Sequence, residues 1–260
     1  MTDAKRWSRG EFCWYELGTT DVAGAKRFYG GMFGWGHEDV PMGEAGTYSI
    51  WKREGQPLGG LYKLEGPMFA GAPPHWMAYV AVDAVDADAD RAKSLGGQVI
   101  MGPHDVPGVG RMAFVRDPQG AVIALYQEGG HAGTARWEGS PPGAICWTEL
   151  MTTDMAAAAT FYTKLFGWGT KVSDMGPTKY TEWQTAGRSV GGCMALPPQA
   201  AGVPPHWMNY VTVQDCDASV REARDMGARV LFGPMDVPEV GRFATLQDPQ
   251  GAAIAIIKLG

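Results

Sequence analysis

A chain of 260 residues with 45% apolar residues, 19% charged residues and a formal net charge of −6 has ample material for two cores and no basic surface. Nucleic acid and membrane are therefore excluded as partners, and no apolar run approaches the roughly 18 residues of a bilayer span. Met1 to Arg6 lead into the first strand without a secretory hydrophobic stretch, and the 4 cysteines are too few and poorly spaced for a disulfide framework, so a cytoplasmic, reduced protein is expected.

Phe12 to Thr20 reads as a strand with Trp14, Glu16 and Gly18 on one face and Cys13, Tyr15 and Leu17 on the other. Asp21 caps a helix whose stripe is Val22, Ala25, Phe28, Tyr29 and Met32, and Gly34 ends it. Thr47–Trp51 and Leu58–Lys63 read as strands. After Pro73-Pro74 the order restarts: a strand from Trp76 to Val82, then a helix carrying Val85, Ala89, Ala92 and Leu95, stopped by Gly96-Gly97. Strands near Gln98–Met101, Arg111–Val115 and Ala121–Tyr126 follow, the last two joined by the Asp117-Pro118-Gln119-Gly120 turn.

The whole series then repeats. Cys13-Trp14-Tyr15-Glu16-Leu17 returns as Cys146-Trp147-Thr148-Glu149-Leu150, His75-Trp76-Met77 as His206-Trp207-Met208, and the turn as Asp248-Pro249-Gln250-Gly251. The offset falls from 133 to 131 along the unit, which marks a duplicated domain with small loop deletions rather than a solenoid. Helices near Met155–Phe166 and Ala218–Met226 belong to the second copy. The expected organisation is a first domain over 1–127, a linker rich in Gly, Pro and polar residues over 128–143, and a second domain over 144–260, giving four βαβββ modules.

Four such modules, the Asp-capped helices carrying Phe28-Tyr29 and Phe161-Tyr162 ahead of Phe33-Gly34-Trp35 and Phe166-Gly167-Trp168, and the closing Asp-Pro-Gln-Gly turns together resemble the vicinal oxygen chelate superfamily of glyoxalases, bleomycin-resistance proteins and extradiol dioxygenases. The Gly102-Pro103-His104-Asp105-Val106-Pro107-Gly108-Val109-Gly110-Arg111 stretch and its partner, Gly233 to Arg242, are similar to tandem-domain actinobacterial members labelled glyoxalase-like or hydroxylase. The resemblance implies an α+β fold: two tandem glyoxalase-like domains, each a pair of βαβββ modules forming a curved mixed sheet around a cavity. Function has to be argued at the site, because the fold hosts many chemistries.

The resemblance also implies where a catalytic divalent metal would be held. One ligand position lies about seven residues before the helix-capping Asp, which gives Trp14 from Asp21, Trp147 from Asp154 and Trp76 from Asp83, with Trp207 as the copy partner of Trp76. Another lies about seven residues after the turn Asp, which gives Ala124 and Ala255. Indole and methyl groups offer no lone pair to a metal, so neither metal nor other cofactor is expected. His75 and His206, one residue before their tryptophans, should face away from the cavity.

Glu16 and Glu149 share a strand face with Trp14 and Trp147 and should point into the cavities. Each reads either as a general base or ligand anchor, or as a structural carboxylate paired with Arg111 and Arg242 or with Tyr48 and Tyr180. The four tryptophans read either as stacking platforms or as filling for the vacated metal position. Tyr48 and Tyr180, with Trp51 and Trp183 on the same matched strands, are further candidates to line the cavities, and the register there leaves their face open. Asn209, opposite Ala78, should face the second cavity and make the two sites differ. The Gly-Pro…Gly-Arg stretch reads either as a lid or, favoured by Pro103 and Pro107, as a rigid hairpin closed by Asp105–Arg111 and Asp236–Arg242 ion pairs, His104 as a surface loop residue, and Asp86-x-Asp88-x-Asp90 as a solvated helix face.

The leading expectation is a metal-independent protein that binds a small aromatic or polyketide-like molecule. The alternatives are a glyoxalase-like lyase or isomerase, or a cofactor-free oxygenase, using a cavity Glu as base, and a structural or interaction protein with vestigial sites. Beyond a small-molecule ligand, the expected association is pseudo-symmetric domain pairing within a monomer or homodimer.

Overall fold

The computed structural model describes residues 7–43, 46–131, 133–175, 178–200 and 202–260. Met1 to Arg6, read above for a targeting signal, lie outside them. The first repeat contains β1 (Phe12–Thr19), α1 (Val22–Phe33), β2 (Gly36–Pro41), β3 (Thr47–Arg53) and β4 (Gln56–Lys63), then β5 (His75–Ala81), α2 (Val85–Ser94), β6 (Gln98–Val106), β7 (Gly110–Arg116) and β8 (Val122–Glu128). The second contains β9 (Ile145–Thr152), α3 (Met155–Phe166), β10 (Gly169–Met175), β11 (Thr178–Thr185) and β12 (Arg188–Ala195), then β13 (His206–Thr212), α4 (Cys216–Asp225), β14 (Arg229–Val237), β15 (Gly241–Gln247) and β16 (Ala253–Leu259). These are the four βαβββ modules expected.

Each repeat forms one eight-stranded mixed sheet, in the orders β2-β3-β4-β1-β5-β8-β7-β6 and β10-β11-β12-β9-β13-β16-β15-β14. Within a module the first strand pairs in parallel with the last, as in β1 with β4 and β5 with β8, and the others pair antiparallel. The strand β2 had no counterpart in the sequence reading. Its residues Gly-His-Glu-Asp-Val-Pro lie on a sheet edge and are almost all exposed, so no apolar alternation marks them.

The caps explain the helix placement. Asp21 accepts from Gly24 N at 2.9 Å and Asp154 from Ala157 N at 2.9 Å, while Gly34 and Gly167 close α1 and α3 with φ of 68° and 78°. The cap of α2 is Ala84 rather than Asp83, with no side-chain bond, and that of α4 is Asp215. Asp88, expected on a solvated face, is instead 2% exposed, and Arg9 grips it in a bidentate pair of 2.6 and 2.7 Å. A helix face turned toward another segment of chain needs a counter-charge, and Arg9 supplies it.

By its contacts the chain divides into two compact units. One takes the chain up to Cys13 together with Met77–Gly133 and Trp147–Met208; the other takes Trp14–Trp76, Thr134–Cys146 and Asn209–Gly260. Each unit therefore joins modules from different repeats. In the second unit Tyr29 on α1 donates to Asp248 Oδ2 at 2.9 Å and accepts from Trp76 Nε1 at 2.9 Å. Asp248 Oδ1 collects the turn amides of Gln250, Gly251 and Ala252 at 2.7–2.9 Å. In the first unit Tyr162 on α3 donates to Asp117 at 2.9 Å and accepts from Trp207 at 3.2 Å, and Asp117 collects Gln119, Gly120 and Ala121. The helix of each repeat is thus bonded to the closing turn of the other. Both tyrosines are fully enclosed, Tyr29 stacking on Trp35 at 5.7 Å and Tyr162 on Trp168 at 6.0 Å. Burial, reinforced by the carboxylate's charge, pushes both hydroxyls well above the usual tyrosine range.

Candidate functional site

The face of each sheet turned toward its helices carries the fully buried residues: Leu17, Trp51 and Leu61 in the first module, and Ala113, Val115, Ile123 and Leu125 in the second. The opposite, open face is set by alternation and register. Glu16 pairs with Gly60 and Gly60 with Ile50, so Trp14, Glu16 and Gly18 share this face with Tyr48, Ile50 and Tyr62.

On it the expected residues meet. Trp14 Nε1 donates to Tyr48 Oη at 3.0 Å, and Tyr48 donates onward to Glu16 Oε1 at 2.5 Å. The second repeat builds the same triad: Trp147 Nε1 donates to Tyr180 Oη at 2.7 Å, and Tyr180 bonds Glu149. Glu149 is 5% exposed, whereas Glu16 is half-buried. Burial, with the glutamate charge second, pushes both phenols above their ordinary range and keeps them as donors. Of the two pairings considered for each glutamate, the tyrosine is the one formed.

Two glycines make the triads possible. A Cβ on Gly60 would stand 1.8 Å from Tyr48 Oη, and one on Gly192 the same distance from Tyr180 Oη. Sequence reasoning passed over both. The repeated Gly59-Gly60 and Gly191-Gly192 pairs on matched strands were the available signal.

Other candidates lie elsewhere. Trp51 and Trp183 are 0% exposed on the helix side. Trp76 and Trp207, expected in the cavities, face the helices and bond Tyr29 and Tyr162. The reason is the cap: with Ala84 and Asp215 starting α2 and α4, counting back seven residues reaches Met77 and Met208. That shift of one residue turns His75 and His206 toward the open face as well, each with Nδ1 at 2.8 Å from a proline carbonyl. It also turns Asn209, 1% exposed, to the helix side with Trp207 rather than toward a cavity. Arg111 is not beside Glu16: it spans Asp86 at 2.6 and 2.9 Å and Asp105 at 2.9 Å. Arg242 likewise spans Asp217 and Asp236. These are the hairpin-closing ion pairs expected of the Gly-Pro…Gly-Arg stretch. His104 lies half-buried within β6, paired with Met112, rather than in a surface loop.

The residues do not suit a divalent metal. The corrected positions hold Trp14, Met77 and Ala124 in one repeat and Trp147, Met208 and Ala255 in the other. Among the described residues no three His, Cys, Asp or Glu side chains converge. A thioether is a soft ligand, and indole and methyl are none at all.

Comparison with known proteins places this geometry in context. The family model described as Glyoxalase/Bleomycin resistance protein/Dioxygenase superfamily matches residues 12–125 and 144–256. The chain is 37% identical over 260 residues to the putative glyoxylase CFP32 of Mycobacterium tuberculosis, covering 99% of this chain and 98% of the relative. It is 35% identical over 265 residues to the anthracycline biosynthesis protein DnrV of Streptomyces peucetius, covering 98% and 95%. Among solved structures it resembles the Mn(II)-bound glyoxalase from Novosphingobium aromaticivorans, with TM-score 0.61, 20% identity and coverage of 96% and 83%. The 2,2',3-trihydroxybiphenyl 1,2-dioxygenase from Sphingomonas wittichii gives TM-score 0.63 at 14% identity, covering 96% and 91%. At such identities the structural likeness speaks to fold alone.

Proposed function

The chain belongs to the glyoxalase/bleomycin resistance protein/dioxygenase superfamily, and from that premise we propose that it binds a small aromatic or polyketide-like molecule, without a metal, on the faces that carry Trp14 and Trp147. The observation carrying this reading is the Trp–Tyr–Glu triad, formed in both repeats on the open face that also holds the family's ligand positions. Each hydrogen bond fixes an indole and a carboxylate before any ligand arrives, which lowers the ordering cost of binding. An aromatic guest gains about 0.5–1.5 kcal/mol from ring contact beyond its buried area, and a carboxylate beside it orients a hydroxyl. The relatives named for anthracycline biosynthesis support the ligand class, since anthracyclines are planar, hydroxylated polycyclic molecules.

Titration with such compounds, followed by tryptophan emission and melting temperature, tests the reading. Saturable quenching and a raised Tm that survive chelator treatment are expected. Unchanged emission and Tm across diverse polycyclic aromatics would sink it, and one tightly held metal ion per repeat would sink its metal-free part.

A second reading, a glyoxalase-like lyase or isomerase or a cofactor-free oxygenase, draws on the relative named putative glyoxylase and on the half-buried Glu16 as base. There Glu16→Gln and Glu149→Gln would abolish turnover while leaving affinity nearly intact.

A further inference from the structure

Resting on that binding reading, we propose that the two repeats carry unequal sites, and that Tyr62 makes the first one selective for a planar aromatic bearing hydroxyl and carbonyl groups on one edge, while the second, which keeps a carboxylate but no such phenol, lacks the donor for the carbonyl. The inequality is written into matched register positions. Gly18 pairs with Tyr62 across β1 and β4, and Met151 pairs with Met194 across β9 and β12.

A Cβ on Gly18 would stand 2.9 Å from Tyr62 Oη and 2.9 Å from Leu64 Cδ2, so the phenol lies directly over this glycine, two residues along the open face from Glu16. The ring is backed by Phe69 at a centroid distance of 5.4 Å. In the second repeat methionines replace both members of the Gly18–Tyr62 pair, and Ala200 stands in place of Phe69. Tyr48 already spends its hydroxyl on Glu16. The Tyr62 hydroxyl, by contrast, donates to none of the described residues, although its side chain is half-buried. Burial, followed by the charge of Glu16, raises its pKa, so it remains a donor throughout the neutral range.

The first face therefore presents a phenol donor and a carboxylate acceptor side by side on an aromatic wall. A ligand edge with neighbouring carbonyl and hydroxyl groups answers both. The second face keeps the Glu149 acceptor but offers flexible thioethers in place of the phenol, which accommodate shape and donate nothing to a carbonyl. A site built to hydrogen-bond a polar group penalises the analogue that lacks it, because the protein's own donor is left unpaired.

Calorimetric titration of the full chain with quinizarin sulfonate and with anthraquinone sulfonate, which lacks the two hydroxyls, tests the proposal. The hydroxylated probe is expected to show one preferred site per chain, weakened at least tenfold by Tyr62→Phe, and the unhydroxylated probe, which keeps the carbonyls but offers Glu16 no donor, is expected to bind that site more weakly in wild type. The paired variant Met151→Gly with Met194→Tyr should create a second hydroxyl-dependent site. Two equal sites for the hydroxylated probe, or equal affinities in wild type and Tyr62→Phe, would overturn the inequality while the binding reading stands. Failure of both probes to bind wild type would overturn both.

Discussion

One network on the helix side is the same in both repeats: Trp76, Tyr29 and Asp248 are matched by Trp207, Tyr162 and Asp117, down to the three turn amides each aspartate collects. On the open side His75, Met77 and Ala124 are matched by His206, Met208 and Ala255, and so is the triad. Around it Gly18 faces Met151 in the comparison, Ile50 faces Glu182, and Tyr62 faces Met194. A closed network in which every polar atom has a partner tolerates no single replacement, because each loss strands the others in a dry interior. The rim of an open face is under no such constraint, and its residues answer to whatever each face meets. Identity in that network and divergence around the triads thus separate what holds each unit together from what each face recognises.

Removing the keystone of the closed side should have the largest effect. Asp248→Ala strands the Tyr29 hydroxyl and three turn amides, and a loss of about 3 kcal/mol in unfolding free energy is expected from urea denaturation. Glu16→Gln, on the open face, should cost far less. If the two variants lose equal stability, the division between the faces fails.

Gly60→Ala attacks the open side through packing. The new methyl would occupy the place of Tyr48 Oη, so the phenol must leave and the Trp14 bond breaks with it. A cost of about 2 kcal/mol is expected, with a shift in tryptophan emission and loss of aromatic binding at the first site. Gly192→Ala should do the same at the second site only, which makes the pair a direct measure of how independent the two faces are.

The closed side also has a pH signature. Tyr29 and Tyr162 hold their protons far above the range of an exposed tyrosine because of burial. Their contribution to stability is fully present below the unfolded-state value near pH 10 and is lost as pH rises through the folded-state values. Above pH 10 the unfolded chain binds fewer protons than the folded one, so stability falls by up to about 1.4 kcal/mol per pH unit for each tyrosine. Tyr29→Phe should flatten the alkaline limb of a stability–pH curve even though it lowers the plateau. An unchanged limb would show that the hydroxyl ionises without unfolding.

Much of this was legible in the sequence, and the failures share one cause. The duplication, the four modules, Asp21 and Asp154 as caps, and the shared face of Trp14 and Glu16 follow from periodicity and repeat comparison, because strand alternation runs unbroken from Asp21 back to Trp14, whereas Tyr48 was only one of two partners open to Glu16. Trp76, Trp207, Asn209, His75 and His206 were turned to the wrong faces by a count begun at Asp83. Ala84 caps α2 without a side-chain bond, so no residue type announces the true start, and a single residue inverts a strand. The bond from Tyr29 to Asp248 spans 219 positions, and local patterning holds no record of it. Asp88 was misjudged for the same reason, since its partner Arg9 lies 79 positions away.

The smallest effect should come from the arginines considered above as partners of the cavity glutamates. Arg111 and Arg242 each bind two carboxylates, yet those carboxylates are 46–75% exposed, so water competes for every bond and salt screens it. Arg111→Ala and Arg242→Ala should leave binding at both faces unaltered and move the melting temperature less than any variant above. Arg9→Ala supplies the contrast, because its partner Asp88 is 2% exposed and, among the described residues, would keep the ion pair with Arg91 at 3.6 Å. A buried carboxylate deprived of its bidentate partner is costly where an exposed one is not. If Arg111→Ala instead weakened an aromatic ligand as much as a change at Tyr48, the hairpin would have to reach the open face, and the assignment of recognition to the triads and their rims would need redrawing.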